Sequence, residues 1–183
     1  PMSDTNPLLP ATSAGPQAAE VRDRFWENLP LSALTPSEWE LLCDGCGQCC
    51  LVREIDDEAL TVFAACCNLL DIPSSRCSNY DNRMAFVPEC TQLTPQRVAN
   101  FDWLPNSCAY RRRHLNRPIP EWHPLKTGNR EAMEAQGITV SRYAIHQNKI
   151  ADEAMPDHII ASWPLQRMRE QLRQRTPKPK RKR

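Results

Sequence analysis

Four cysteines fall within eight residues, Cys43, Cys46, Cys49 and Cys50 of the run CDGCGQCC, and this density restricts the chain more than any other feature. Core packing does not require four thiols in one loop, whereas chelation does. On a straight helix the sulfurs of Cys43, Cys46 and Cys49 spread over two turns, too far for one tetrahedral ion with sulfurs at about 2.3 Å. The segment therefore has to curl. Gly45 and Gly47, two of five glycines among 183 residues, stand where positive φ is needed to wrap backbone around an ion. Adjacent side chains diverge by about 100° on a helix and to opposite faces on a strand, so Cys49 and Cys50 are not expected to serve one ion equally. Cys50 either serves a second centre, the favoured reading, or packs behind the first as a small apolar residue.

Redox context supports chelation. The chain opens PMSDTNPLLPATSAGPQAAE, with no basic stretch leading into an apolar one, and no segment approaches the roughly 18 apolar residues of a membrane span. The expectation is a cytoplasmic protein, in which nine reduced cysteines act as ligands or reactive groups rather than a disulfide framework. Cys66, Cys67, Cys77, Cys90 and Cys108 follow in irregular, proline-punctuated sequence, and some must return to the loop to complete it. A C-x2-C-x2-C triplet plus a remote cysteine is a [4Fe–4S] pattern, while paired C-x2-C knuckles are the commoner zinc arrangement. The spacing leans toward iron and sulfide and leaves zinc open.

The segments SEWELLCDGCGQCCL (37 to 51), FAACCNLLDI (63 to 72), CSNYDNRMAFVPEC (77 to 90), FDWLPNSCAYR (101 to 111) and PEWHPLKTG (120 to 128) resemble the YcgN-type cysteine-cluster proteins of bacteria, described as carrying a zinc- or iron-chelating domain with a CxxCxxCC signature. The resemblance runs from about Phe25 to Pro164. It implies a metal site of eight cysteines, Cys43, Cys46, Cys49, Cys50, Cys67, Cys77, Cys90 and Cys108, with Cys66 an extra thiol. It names no reaction.

Seventeen prolines against five glycines mean many rigid turns and few long elements. The expected class is α+β: one small metal-nucleated domain over 21–164 with short helices, a β-hairpin and much irregular loop, between a disordered segment at 1–20 and a basic helix and tail at 165–183. A first helix is expected over about 21–28. Thr35, Pro36 and Glu38 form a capping box that starts a helix carrying Trp39, Leu41 and Leu42 into the cysteine loop. Residues 51–55 and 60–64 flank the turn Asp56, Asp57, Glu58 as a hairpin, and 66–70 continue as a helical turn. Thr94 and Ser107 are predicted to cap helices ending near Asn100 and Leu115. Asn129 caps another that ends at Gly137, and 138–145 reads as a strand.

Charge is divided. From Leu165 onward nine Lys or Arg face one Glu, a net +8, which leaves residues 1–164 at −7 within a total of +1. The terminal PKPKRKR is a polybasic arm of the kind that binds nucleic acid through phosphates, or a solvated tail; no stacking platform or recognition helix accompanies it. A protein partner is the other interaction weighed. His123 reads as a packed structural residue before a ligand. Arg111, Arg112 and Arg113 read as a solvent face before charge compensation, and Tyr80 and Arg83 are candidates for hydrogen bonds to sulfur. Asp56, Asp57 and Glu58 are turn formers. Three functions compete: a metal-binding protein organised by zinc or iron, an iron–sulfur protein of electron transfer or redox sensing, and a thiol oxidoreductase. The last is disfavoured because no βαβ pattern surrounds the motif. No catalytic machinery is recognisable.

Overall fold

The computed structural model describes residues 21–164. The expectations for 1–20 and 165–183, the basic arm included, lie outside the described residues.

The capping box forms as read. Thr35 accepts from the Glu38 amide and the Glu38 carboxylate accepts from the Thr35 amide, starting α2 (Pro36–Leu41) after the single turn α1 (Phe25–Asn28). The first helix is shorter than expected at its start. Arg24 is left-handed at φ 46°, which stops the helix there, and Arg22 is drawn across to Glu38, donating to both carboxylate oxygens. Arg22 lies over Glu38 at the edge of the domain and shields it from water, and this pairing holds the Glu38 carboxyl well below the usual carboxylate range.

After the cysteine loop, β1 (Leu51–Ile55) and β2 (Ala59–Cys66) form the antiparallel hairpin, with Asp56 accepting the amides of Glu58 and Ala59 in the turn. β2 runs longer than expected. Cys66 ends a strand rather than starting a helical turn, because its edges pair with Leu51 on one side and His146 on the other. A tight turn follows, in which the Leu70 amide donates to the Cys67 carbonyl at 3.0 Å, and leads into the small ladder of β3 (Leu70–Asp71) and β4 (Arg76–Cys77).

Short helices α3 (Arg83–Phe86), α4 (Ala109–His114), α5 (Pro124–Thr127) and α6 (Glu131–Ala135) then follow, before β5 (Ile145–His146) and β6 (Ile159–Pro164) return to β2. β5 pairs in parallel with 65–66, and β6 pairs antiparallel with 59–63 along the same edge.

Several helix expectations shrink. Thr94 does accept from the Arg97 amide, but only a turn and a 3-10 segment at Val98–Asn100 follow. Cys108, not Ser107, precedes α4. Arg130, not Asn129, is the N-cap of α6, although Asn129 accepts from the Glu131 amide; Gly137, at φ +66°, closes the segment as read. The strand expected over 138–145 is mostly a 3-10 turn at Val140–Arg142, and only Ile145 and His146 reach the sheet. The fold is thus a small α+β domain of short pieces.

Among the described residues, two apolar cores hold these pieces. One gathers Phe25, Leu42, Val98, Ala109, Tyr110 and Ile119, with Cys108 packed against it; the other gathers Leu51, Cys66, Leu70 and Val140, with Cys50 against it. Gly47 sits against the second core with φ +79°, and a Cβ there would stand 2.6 Å from Val140 Cγ2 and 3.1 Å from the Ser75 carbonyl oxygen. Gly47→Ala is therefore expected to destabilise the domain by about 2–4 kcal/mol, combining positive-φ strain with overpacking, as read from urea unfolding.

Candidate metal centre

The cysteine loop curls where its glycines allow. With Gly45 at φ +68° and Gly47 at φ +79°, the Gly45 amide donates to the Cys43 sulfur and the Gln48 amide to the Cys46 sulfur. The same device recurs outside the loop, from the Leu69 amide to Cys67 Sγ at 3.4 Å and from the Arg111 amide to Cys108. An amide dipole aimed at sulfur favours the anionic thiolate. Cys43, Cys46 and Cys108 are assisted in this way.

Burial opposes it. Desolvation, then the charges of Cys49 and Asp44, pushes the Cys43 thiol up to about 12. Desolvation, with Asp44, Cys43 and Cys49 behind it, raises Cys108 to about 12. Cys46 is raised by burial, Asp44, Cys49 and Cys43. Cys43 and Cys49 retain solvent exposure over part of their surface, yet their sulfurs lie in dense surroundings. Cys43, Cys46, Cys49 and Cys108 therefore share one electrostatic neighbourhood with Asp44 at its centre. Asp44 is 5% exposed; Oδ1 accepts from the Cys46 amide at 2.9 Å, and Oδ2 is buried with no hydrogen-bond partner.

Cys50, Cys67, Cys77 and Cys90 form a second neighbourhood. The Cys67 amide donates to the Cys50 carbonyl at 2.9 Å, Cys77 pairs with Leu70 three residues beyond Cys67, and Cys90 is raised by burial and by Cys67 and Cys77. The two groups touch. Cys49 and Cys50 were expected to diverge, but the 3-10 turn of Gln48–Cys50 leaves their thiols hydrogen-bonded to each other, which is the largest cause raising Cys49. Cys66 stands apart, fully buried as a core residue at the end of β2.

Among the described residues, no three His, Cys, Asp or Glu side chains converge at ligand distance on one point. The thiols share neighbourhoods rather than a closed cage, and thiols pushed to about 12 are neutral near pH 7. The donor chemistry nevertheless fits a thiophilic cation: nine free cysteines, amide-assisted sulfurs, and an unpartnered buried carboxylate oxygen beside them.

Arginines sequence reasoning passed over surround both groups. Arg76 packs on Gly45 and lies near Cys43, while Arg53 faces Cys49, Cys50 and Cys90 and donates to the Cys49 carbonyl at 2.8 Å, its guanidinium stacked 3.6 Å over the Trp103 ring. Arg130 donates to the carbonyls of Asp44 (2.8 Å), Gly45 (3.2 Å) and Ser74 (3.3 Å), fastening the loop to the β3–β4 turn. Their only signal in the sequence was charge, which surface arginines share. Arg130→Met is expected to cost about 2–3 kcal/mol in urea unfolding, since three carbonyls lose a charged donor.

Arg83, anticipated near sulfur, hydrogen-bonds Cys90 and stacks 3.8 Å over Tyr80, whose phenol instead meets Glu40. Arg111, Arg112 and Arg113, read as a solvent face, donate to the carbonyls of Leu104, of Pro118, and of Glu27 and Leu29, respectively. His123 is fully buried with both nitrogens engaged. Nδ1 accepts from the Leu125 amide, so Nε2 carries the proton and donates to the Leu42 carbonyl at 3.2 Å. It is the structural residue the sequence suggested.

Residues 42–109 match the family model CxxCxxCC, "Putative zinc- or iron-chelating domain", a segment that begins one residue before Cys43 and ends one after Cys108. A UPF0260 protein of Shewanella frigidimarina is 47% identical over 144 residues, covering 78% of this chain and 95% of the relative. The chain belongs to the UPF0260 family. UPF0260 proteins of Shewanella sediminis (48% identity) and Shewanella oneidensis (43%) each align over 143 residues, 77% of this chain and 96% of theirs. No solved structure matches this UPF0260 chain. Among the described residues no helix is long and apolar enough to cross a membrane.

Proposed function

We propose that this protein binds zinc or iron through the thiolates of Cys43, Cys46, Cys49, Cys50, Cys67, Cys77, Cys90 and Cys108, and that the metal is structural. The observation that carries this reading is the set of backbone amides aimed at the sulfurs of Cys43, Cys46, Cys67 and Cys108. Buried neutral thiols have no need of four such donors, whereas thiolates held around a cation do. The family description names the same two metals.

A bound cation supplies charge neutralisation and a cross-link between chain segments. The residues supply the rest. Gly45 and Gly47 set the loop's curvature, Arg130 holds it against the β3–β4 turn, and Arg53, Arg76 and Arg83 offset the negative charge that thiolates leave around a dication.

Elemental analysis and an absorption spectrum on full-length protein purified without oxygen test the proposal. Stoichiometric zinc without visible absorbance, or iron, supports it; broad absorbance near about 400 nm with equal iron and sulfide specifies a cluster. Protein free of both metals with all nine thiols titratable overturns it.

A further inference from the structure

Independently of the metal, we infer that the groove lined by the β1–β2–β6 sheet and residues 103–107 binds single-stranded nucleic acid, with the basic residues that follow Pro164 holding its phosphates.

Strand register sets the floor of this groove. Arg53 pairs with Val62, while Val62 and Leu60 pair with Ala161 and Trp163 of β6, so these side chains share one face of the sheet. Residues 103–107 and Arg111 complete the lining of a cavity of about 760 Å³, within the roughly 300–1,000 Å³ usual for a ligand site.

The lining differs in charge from the body around it. Residues 1–164 carry a net −7, yet no Asp or Glu is among the described residues that line the cavity, whereas Arg53 and Arg111 are. Two indole rings stand with them. The Arg53 guanidinium lies 3.6 Å over Trp103 and donates to the Cys49 carbonyl, which fixes cation and ring together, and Arg111 is held by the Leu104 carbonyl. Trp163 is 47% exposed and offers an open aromatic surface on β6. Gln48 and Asn106 add side-chain amides of the kind that hydrogen-bond base edges. Cations beside planar rings, with acids excluded, suit a ligand that is both anionic and aromatic.

Chain connectivity extends the match. β6 ends at Pro164, itself a lining residue, and from Leu165 onward nine Lys or Arg stand against one Glu. The polybasic arm therefore starts at the rim of the cavity, which supplies the stacking surface that the arm's own sequence lacks. A small aromatic acid would use the rings and leave the arm idle. Polyphosphate, or a duplex with its bases stacked inside, would use the arm and leave the rings idle. A single strand engages both, through unpaired bases on aromatic rings and phosphates on the arm.

Fluorescence anisotropy of the full-length protein with labelled oligo(U) RNA, oligo(dT) DNA and a DNA duplex, each of about 12 nucleotides per strand, tests this. At about 50 mM salt either single strand should bind at least about tenfold more tightly than the duplex. Trp163→Ala should weaken single-strand binding about tenfold, and Asn106→Asp, which puts a carboxylate into the acid-free lining, about fivefold, both without changing the slope of affinity against salt. Replacing Lys178, Lys180, Arg181, Lys182 and Arg183 by glutamine should flatten that slope. Trp163→Ala can disturb β6, but Asn106 is exposed and the comparison of strand with duplex needs no variant. Equal affinity for strand and duplex, displacement by polyphosphate as readily as by unlabelled strand, or wild-type affinity in both groove variants overturns the groove's role and leaves a general polyanion-binding arm. Uridine monophosphate competing as well as the strand overturns it in favour of a small aromatic anion, and no binding at about 50 mM salt overturns nucleic-acid binding altogether.

Discussion

Anaerobic removal of bound metal is expected to lower the midpoint of this domain's cooperative thermal transition steeply. A structural ion contributes on the order of 10–16 kcal/mol of apparent binding free energy, against a typical domain stability of about 5–15 kcal/mol. This fold has little else to draw on. Among the described residues its longest α-helices, α2 and α4, have six residues, well short of the length at which isolated helices persist, and the apolar interior there is divided into two small cores. The segments bearing Cys50, Cys67 and Cys77 border one core and those bearing Cys43 and Cys108 the other, so releasing the sulfurs loosens both cores at once. Calorimetry and amide hydrogen exchange of chelator-treated and reloaded protein measure this. Metal-free protein that melts cooperatively within a few degrees of the loaded form would show that the cores suffice without it.

The curl of the cysteine loop was legible because its causes are local: glycine placement and the Thr35–Glu38 capping box each act within a few residues, and each takes the expected form. The hairpin was legible for the same reason, with Asp56 supplying the turn. What eluded sequence reading depends on contacts far apart in the chain. β2 extends to Cys66 only because residues 145–146 and 159–164 return to its second edge, and nothing near 66 announces them. The helices predicted after Thr94 and over 21–28 had their caps or composition in order but lacked an apolar face long enough to pay the nucleation cost. The site showed the same division. The thiols were visible one by one, whereas their grouping, and Arg53, Arg76 and Arg130 around them, required the fold. Arg111, Arg112 and Arg113, read as a solvent face, turn out to tie helix α4 to neighbouring carbonyls.

Stability should depend on pH in opposite senses with and without metal. In the metal-free fold, burial raises the Cys43 and Cys108 thiols to about 12 from an ordinary value of 9.0. A raised acid means that the fold holds these protons more tightly than the unfolded chain does, so their contribution is fully present below the unfolded value and is lost as pH climbs toward 12. Metal-free protein should therefore weaken in alkali. Chelation reverses the dependence, because each ligand must surrender its proton: conditional affinity rises about ten-fold per pH unit for every proton displaced, up to about 10⁴ for a group of four neutral thiols. Loaded protein should then hold its metal at neutral and alkaline pH and lose both metal and structure as pH falls. Melting temperatures from pH 5 to 10, with and without metal, should give curves of opposite slope that separate most widely at the alkaline end. Calorimetric titration in buffers of different ionisation enthalpy should detect several protons released per metal bound. Parallel curves, or binding without proton release, would mean that these sulfurs are not the ligands.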